Sequence, residues 1–121
     1  MALILADTNV IIYMLEGDES LSQLFDDNKI AISFITELEL LSAKKYSQTQ
    51  HEALSIFIQK CSIYHYDGLI KQNCIDLRIK YSLKLPDAII AATSKAHKLP
   101  LLTSDKHFAK ILEIETSIYT F

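Results

Sequence analysis

Four carboxylates stand where a carboxylate is either costly or useful. Asp7 follows the apolar run ALILA and, with Thr8 and Asn9, precedes a second apolar run, VIIYML. A charged group among such neighbours is penalised by several kcal/mol unless it is paired, neutralised or bound to a metal. Glu39 lies one turn into a helical stretch that follows the apolar run IAIS, Asp87 is the second residue of a helix opened by Pro86, and Asp105 comes two residues after a run ending at Thr103. Each has a local reading. Asp7 can cap the helix that follows it. Thr36-Glu37-Leu38-Glu39 matches a capping box in which Glu39 serves the Thr36 backbone. Asp87 can complement a helix dipole, and Asp105, beside Ser104, can be a turn or cap residue. A joint reading is also open. Two carboxylates ~4 Å apart repel by about 4 kcal/mol at an effective dielectric near 20, so three or four in one cleft need a cation or must take up protons. Oxygen ligands without cysteine or histidine partners suit Mg²⁺ or Mn²⁺ rather than zinc.

The joint reading depends on elements that bring distant segments to one edge. Residues 2–6, 30–33, 62–66, 99–103 and 116–120 read as short strands, most of them continuous apolar runs. Residues 9–16, 20–26, 34–45, 48–59, 68–82 and 86–98 read as helices, with one helical turn at 105–110. Pro86 suits the first turn of its helix, and Pro100 restricts pairing at the start of its strand. Strands alternating with helices predict an α/β fold, a three-layer α/β/α sandwich on a central parallel sheet, in a single domain spanning 1–121. Such sheets bind ligands outside the carboxyl ends of their strands. That is where all four acids would lie.

The totals exclude several classes. Half of the 121 residues are hydrophobic and 22% are charged, a globular composition, and two glycines and two prolines leave little room for a linker. The net charge of −3 argues against a protein that coats nucleic acid by charge alone, but not against a nuclease whose acids hold cations. Lys44-Lys45, Lys80/Lys84, Lys95/Lys98 and Lys106/Lys110 form small groups, solvated faces for the most part, of which one can flank a substrate path. Cys61 and Cys74 are too few for a disulfide framework. With no basic segment before the first apolar run and no run of membrane-spanning length, a soluble, cytoplasmic protein is expected.

In order along the chain, ADTNVIIYML, ISFITELELLS, LPDAIIAAT and LLTSDKHF resemble the PIN-domain ribonucleases, and among them the VapC-type toxins of toxin–antitoxin pairs. The resemblance runs from residue 3 to about residue 108. It implies a Mg²⁺- or Mn²⁺-dependent endoribonuclease, an RNA substrate, a cognate antitoxin partner and a homodimer. The family's acidic site falls on Asp7, Glu39, Asp87 and Asp105, with the last position the most variable. Thr8 and Asn9 match the polar positions after the first acid, and Thr103 matches a hydroxyl at a strand end. Glu37 and Glu39 differ by about 200° around a helix, and the family pattern Thr-x-x-Glu-Leu selects Glu39. The implied chemistry is attack by a water whose pKa a metal lowers, leaving 5′-phosphate and 3′-hydroxyl ends.

The four histidines lack metal-ligand spacing and read as surface or packing residues, with His107 nearest the acids. Tyr13, Tyr64 and Tyr66 read as packing residues, and no glycine-rich phosphate loop is present. Three alternatives stay open. One is a Mg²⁺ phosphohydrolase with Asp7 as nucleophile, although Asn9 stands where such enzymes carry a second Asp. Another is a receiver-like or scaffold domain with an acidic pocket. The third is a PIN-fold module that binds RNA or a partner without cleaving.

Overall fold

In the computed structural model, which describes residues 2–120, five strands form one parallel sheet. In chain order the elements are β1 (Leu3–Ala6), α1 (Thr8–Leu15), α2 (Glu19–Asp27), β2 (Lys29–Ser33), α3 (Phe34–Leu41), α4 (Gln48–Gln59), β3 (Ser62–Tyr64), α5 (Gly68–Tyr81), α6 (Leu85–His97), β4 (Leu101–Thr103), a 3₁₀ turn (Lys106–Lys110) and β5 (Thr116–Ile118). The sheet order is β3-β2-β1-β4-β5, and every neighbouring pair is parallel.

The strands read as continuous apolar runs because both faces of the sheet are covered. Leu5, Ala31 and Leu101 face one side and join Ile70, Leu77, Ile90 and Phe108 from α5, α6 and the 3₁₀ turn. Ala6, Ile30, Ile32 and Leu102 face the other and join Val10, Leu21, Phe25, Leu54 and Ile58 from α1, α2 and α4. Helix α3 gives Ile35 to the first cluster and Leu40 to the second. The expected α/β/α sandwich is therefore the observed one. Each large aliphatic side chain buried this way contributes about 1.5–3 kcal/mol relative to exposure.

The chain order places a crevice. From β1 it runs outward through β2 to β3, then returns to the opposite side of β1 for β4 and β5. The connections leaving β1 and β4 thus diverge, which makes the carboxyl ends of this pair the switch point where open α/β sheets hold ligands. Register makes the pairing tight: Ala6 sits opposite Leu102, and the Asp7 N–H donates to the Leu102 carbonyl at 2.9 Å.

Several element ends differ from the sequence expectation, β3 and β5 each stopping two residues early at Tyr64 and Ile118, and the differences at α3 and β4 have local reasons. Helix α3 stops at Leu41 instead of reaching residue 45, and at its C-cap the Ser42 N–H and hydroxyl both donate to the Leu38 carbonyl, at 3.1 and 2.6 Å. The capping box at Thr36 is not formed. The cap is Ser33, one turn earlier, whose hydroxyl accepts from the Ile35 N–H at 3.2 Å. Strand β4 begins at Leu101 rather than 99, since Pro100 has no N–H to give a ladder and serves through its carbonyl, which accepts from the Leu5 N–H at 2.9 Å.

Candidate active site

Asp7 is the first residue beyond β1 and the N-cap of α1, so two elements fix it at the switch point. It is only 5% exposed. Its Oδ1 accepts from the Thr8 N–H at 2.8 Å, and its Oδ2 accepts from the Asn9 amide at 2.9 Å and from the Thr103 hydroxyl at 2.7 Å. Asn9 also accepts from the Ser104 N–H at 3.2 Å, which fastens α1 to the end of β4. Burial pushes the Asp7 carboxyl up to about 6; the Thr103 and Thr8 bonds oppose this, and the charges of Asp87 and Glu39 add to it.

Glu39 reaches the same region from α3. Its Oε1 accepts from the Thr8 hydroxyl at 2.8 Å, and that hydroxyl lies 3.1 Å from Oγ1 of the fully buried Thr36. Thr36 therefore braces Thr8, not its own helix start. Glu37 lies about 200° away around α3, on a different side from the residue that meets Thr8.

Asp87 stands in the first turn of α6, whose Ala88, Ile90, Ala91, Ala92, Thr93 and Ser94 are all buried. The alanines let this helix pack closely and hold Asp87 firmly. Its carboxyl is also raised, by burial first and then by the charge of Asp105; Lys84 opposes this, Glu39 adds to it, and His107 opposes it. Asp105 caps the 3₁₀ turn, with its Oδ1 accepting from the His107 N–H at 2.9 Å, while its own N–H donates to the Thr103 hydroxyl at 3.0 Å.

The four acids thus meet through Asp87 at the carboxyl edge of the sheet: Asp7, Glu39 and Asp105 are each within its electrostatic reach, and Asp7 is also within reach of Glu39, with Thr8, Asn9 and Thr103 as the hydrogen-bonding frame between them. Sequence reasoning gives two residues of this neighbourhood too small a part. Thr36 enters it as a cap or as the first position of the family pattern, not as the brace of Thr8. His107 enters it only as the histidine nearest the acids, without the contact its ring makes with Asp105.

Among the described residues, no three His, Cys, Asp or Glu side chains already surround one point as a metal cage. The donor set nonetheless fits a hard divalent ion. It offers carboxylate oxygens only; burial is the main cause that raises Asp7 and Asp87, and the repulsion of the neighbouring acids, which adds to it, is of the kind a cation relieves.

Comparison with known proteins gives a consistent result. The family described as PIN domain matches residues 4–113. A toxin–antitoxin complex from Klebsiella pneumoniae contains a chain 33% identical, with a TM-score of 0.85, covering 98% of this chain and 99% of that one. VapBC2 from Rickettsia felis, solved on a DNA fragment from its promoter, shares 22% identity and a TM-score of 0.85, again over 98% and 99% of the two chains. DNA-bound VapBC from Salmonella typhimurium shares 22% identity and a TM-score of 0.83, over 98% of each chain. No curated protein matches the sequence.

Proposed function

The chain belongs to the PIN-domain family, and from that membership we propose that it is a Mg²⁺- or Mn²⁺-dependent endoribonuclease, the toxin of a VapBC-type pair, acting as one domain in the cytoplasm. The observation that carries the reading is the convergence on Asp7: a buried carboxylate at the β1/β4 switch point, raised to about 6, with Asp87 and Glu39 close enough to raise it further. Among the described residues no helix is long and apolar enough to cross a membrane.

In this reading Asp7 and Asp87 would hold the ion and Glu39 and Asp105 would complete its surroundings, and a divalent ion there would supply charge neutralisation for the phosphodiester and a lowered pKa for the attacking water. The remaining residues orient the acids. Thr103, Asn9 and the Thr8 N–H fix the plane of the Asp7 carboxylate. Thr8, braced by Thr36, aims Glu39. Lys84, the N-cap of α6, acts on Asp87 as a positive charge that partly offsets the neighbouring acids. The phosphohydrolase alternative loses support from Asn9, whose amide braces Asp7 and the Ser104 N–H and has no acid to offer.

Two surfaces suit the two proposed partners. A groove of about 590 Å³ combines Met14, Phe25, Ile56 and Phe57 with the charged Asp26 and Lys60, a mixed lining that suits an amphipathic helix of the antitoxin. Leu69, Ile75, Ile79 and Leu85 are exposed on and beside α5, as a face that a second copy of the chain would cover.

The test is cleavage of a labelled single-stranded RNA by the purified chain. Cleavage is expected with Mn²⁺ or Mg²⁺ and not with EDTA. Glu39→Gln should lower the rate at least about tenfold, in line with loss of a group that holds or orients a metal, while Glu37→Gln should stay within about twofold, because Glu37 lies on a different side of α3 from the residue that meets Thr8. Undiminished cleavage in EDTA would refute the metal-dependent reading, and equal losses in the two glutamine variants would refute the choice of Glu39.

A further inference from the structure

His107 looks like a surface residue, its side chain 84% exposed, yet its ring is tied to the site. Nδ1 lies 2.8 Å from Asp105 Oδ1, the same oxygen that accepts from the His107 backbone N–H at 2.9 Å. One residue therefore presents two donors to one carboxylate oxygen. The backbone bond alone is the ordinary cap of a short turn and leaves the carboxylate free to pivot about Oδ1. The ring adds a second direction of constraint and fixes the plane, so that Oδ2 takes neither bond. For Nδ1 to donate, the neutral ring must carry its proton there. The ring is also within electrostatic reach of Asp87.

We infer that His107 is a positioning residue: its Nδ1–H pins Oδ1 of Asp105 so that Oδ2 is the oxygen presented toward Asp87 and the cation. This rests on the reading of the four acids as a divalent-cation site, and it adds a residue from outside the acidic set. A partner that orients a metal-holding carboxylate typically changes metal affinity 10–100-fold on removal.

The test measures Mn²⁺ binding directly, by electron paramagnetic resonance of the free ion titrated with intact protein, alongside RNA cleavage over a range of Mn²⁺ concentrations. For His107→Ala the dissociation constant should rise about tenfold, and the rate at saturating Mn²⁺ should return to near the parent value. His107→Asn puts an amide N–H close to where Nδ1–H stood and should restore affinity to within about twofold of the parent, whereas His107→Gln, whose amide lies one bond farther out, should not. Unchanged Mn²⁺ affinity in His107→Ala overturns the inference and leaves the cation site standing. Equal weakening in the Ala and Asn variants also overturns it, since the donor would then not be what matters. If the parent protein binds no Mn²⁺, the cation-site reading fails and the inference falls with it.

Discussion

Asp7→Asn should abolish RNA cleavage, by about a thousandfold or more, and should also flatten the pH dependence of the metal-free fold. The first effect follows from the proposed role: losing a metal-holding carboxylate forfeits several kcal/mol of transition-state stabilisation, and about 4 kcal/mol is a thousandfold in rate. The second follows from burial. In the folded protein the Asp7 carboxyl is raised from 3.8 to about 6. The native state therefore binds this proton more tightly than the unfolded chain does. Below pH ~3.8 both states hold it and the full benefit is present; as pH rises toward about 6 the unfolded state releases it first, and stability falls. The gap corresponds to about 3 kcal/mol lost across that window. Asparagine cannot ionise, so its curve lacks this decline.

The absolute levels follow from the hydrogen bonds. Asn9 and Thr103 both donate to Oδ2 of Asp7, and an asparagine must set either its own N–H₂ against them or its carbonyl there at the expense of Thr8. Leaving a buried donor without its partner costs about 1–3 kcal/mol. At pH 4, in EDTA, the variant should be the less stable protein by about that amount. By pH 7 the parent should have lost its advantage, and the two should lie within about 1–2 kcal/mol. Urea unfolding at several pH values in EDTA reads the difference directly; parallel curves would show that Asp7 is not held in this way. Added Mn²⁺ should raise the melting temperature of the parent and not of the variant, because only a ligand that binds the native state stabilises it.

The fold was legible because a parallel sheet buried on both faces writes itself as short apolar runs, and alternating helices leave one topology class. Which of Leu5 and Ala6 faces which layer was not legible, since both are apolar. The acids were legible by position, as residues that follow strands or open helices. Their orientation was not. Glu39 is aimed by Thr8, thirty-one positions away in sequence, and no local pattern predicts that contact. The capping-box reading failed at Thr36 for a related reason: the same spacing serves a helix start and an interior pair, and only the hydroxyl of Ser33 decides where α3 begins. His107 was legible as the histidine nearest the acids, but not its contact with Asp105, which its ring makes only when residues 106–110 coil into a 3₁₀ turn. The apolar residues of α5 pose the converse problem. Leu77 is buried and Ile79 is 79% exposed, and composition alone does not separate a core stripe from a face that awaits a partner.

Thr103→Val should be the most damaging single change in the frame that holds the acids. Thr103 is fully buried, and valine has nearly its shape, so packing is preserved while one hydroxyl disappears. That hydroxyl donates to Asp7 Oδ2 at 2.7 Å and accepts from the Asp105 N–H at 3.0 Å. A bond to a charged group contributes about 1.5–3 kcal/mol, and the orphaned N–H adds its own desolvation cost, so a loss of about 3 kcal/mol is expected at pH 7. Any buried polar deletion can destabilise, but this one should also move a particular pKa. The Thr103 bond is the main influence that lowers the Asp7 carboxyl, so its removal should carry that carboxyl above about 6. The window in which stability falls with rising pH then extends upward, and the parent-to-variant gap should be narrow at pH 4 and widen through pH 7. Carbon-detected titration of the Asp7 carboxyl in EDTA measures the shift itself. Mn²⁺ affinity near neutral pH should weaken in step, because the ion competes with a proton that is now held more tightly. Thr103→Ser restores the hydroxyl at the cost of a methyl group, and should return the Asp7 titration to the parent range even if some stability stays lost. A Val variant with the parent's Asp7 titration would mean that the hydroxyl supports the fold without tuning the acid, and a Ser variant that fails to recover it would shift the effect to packing.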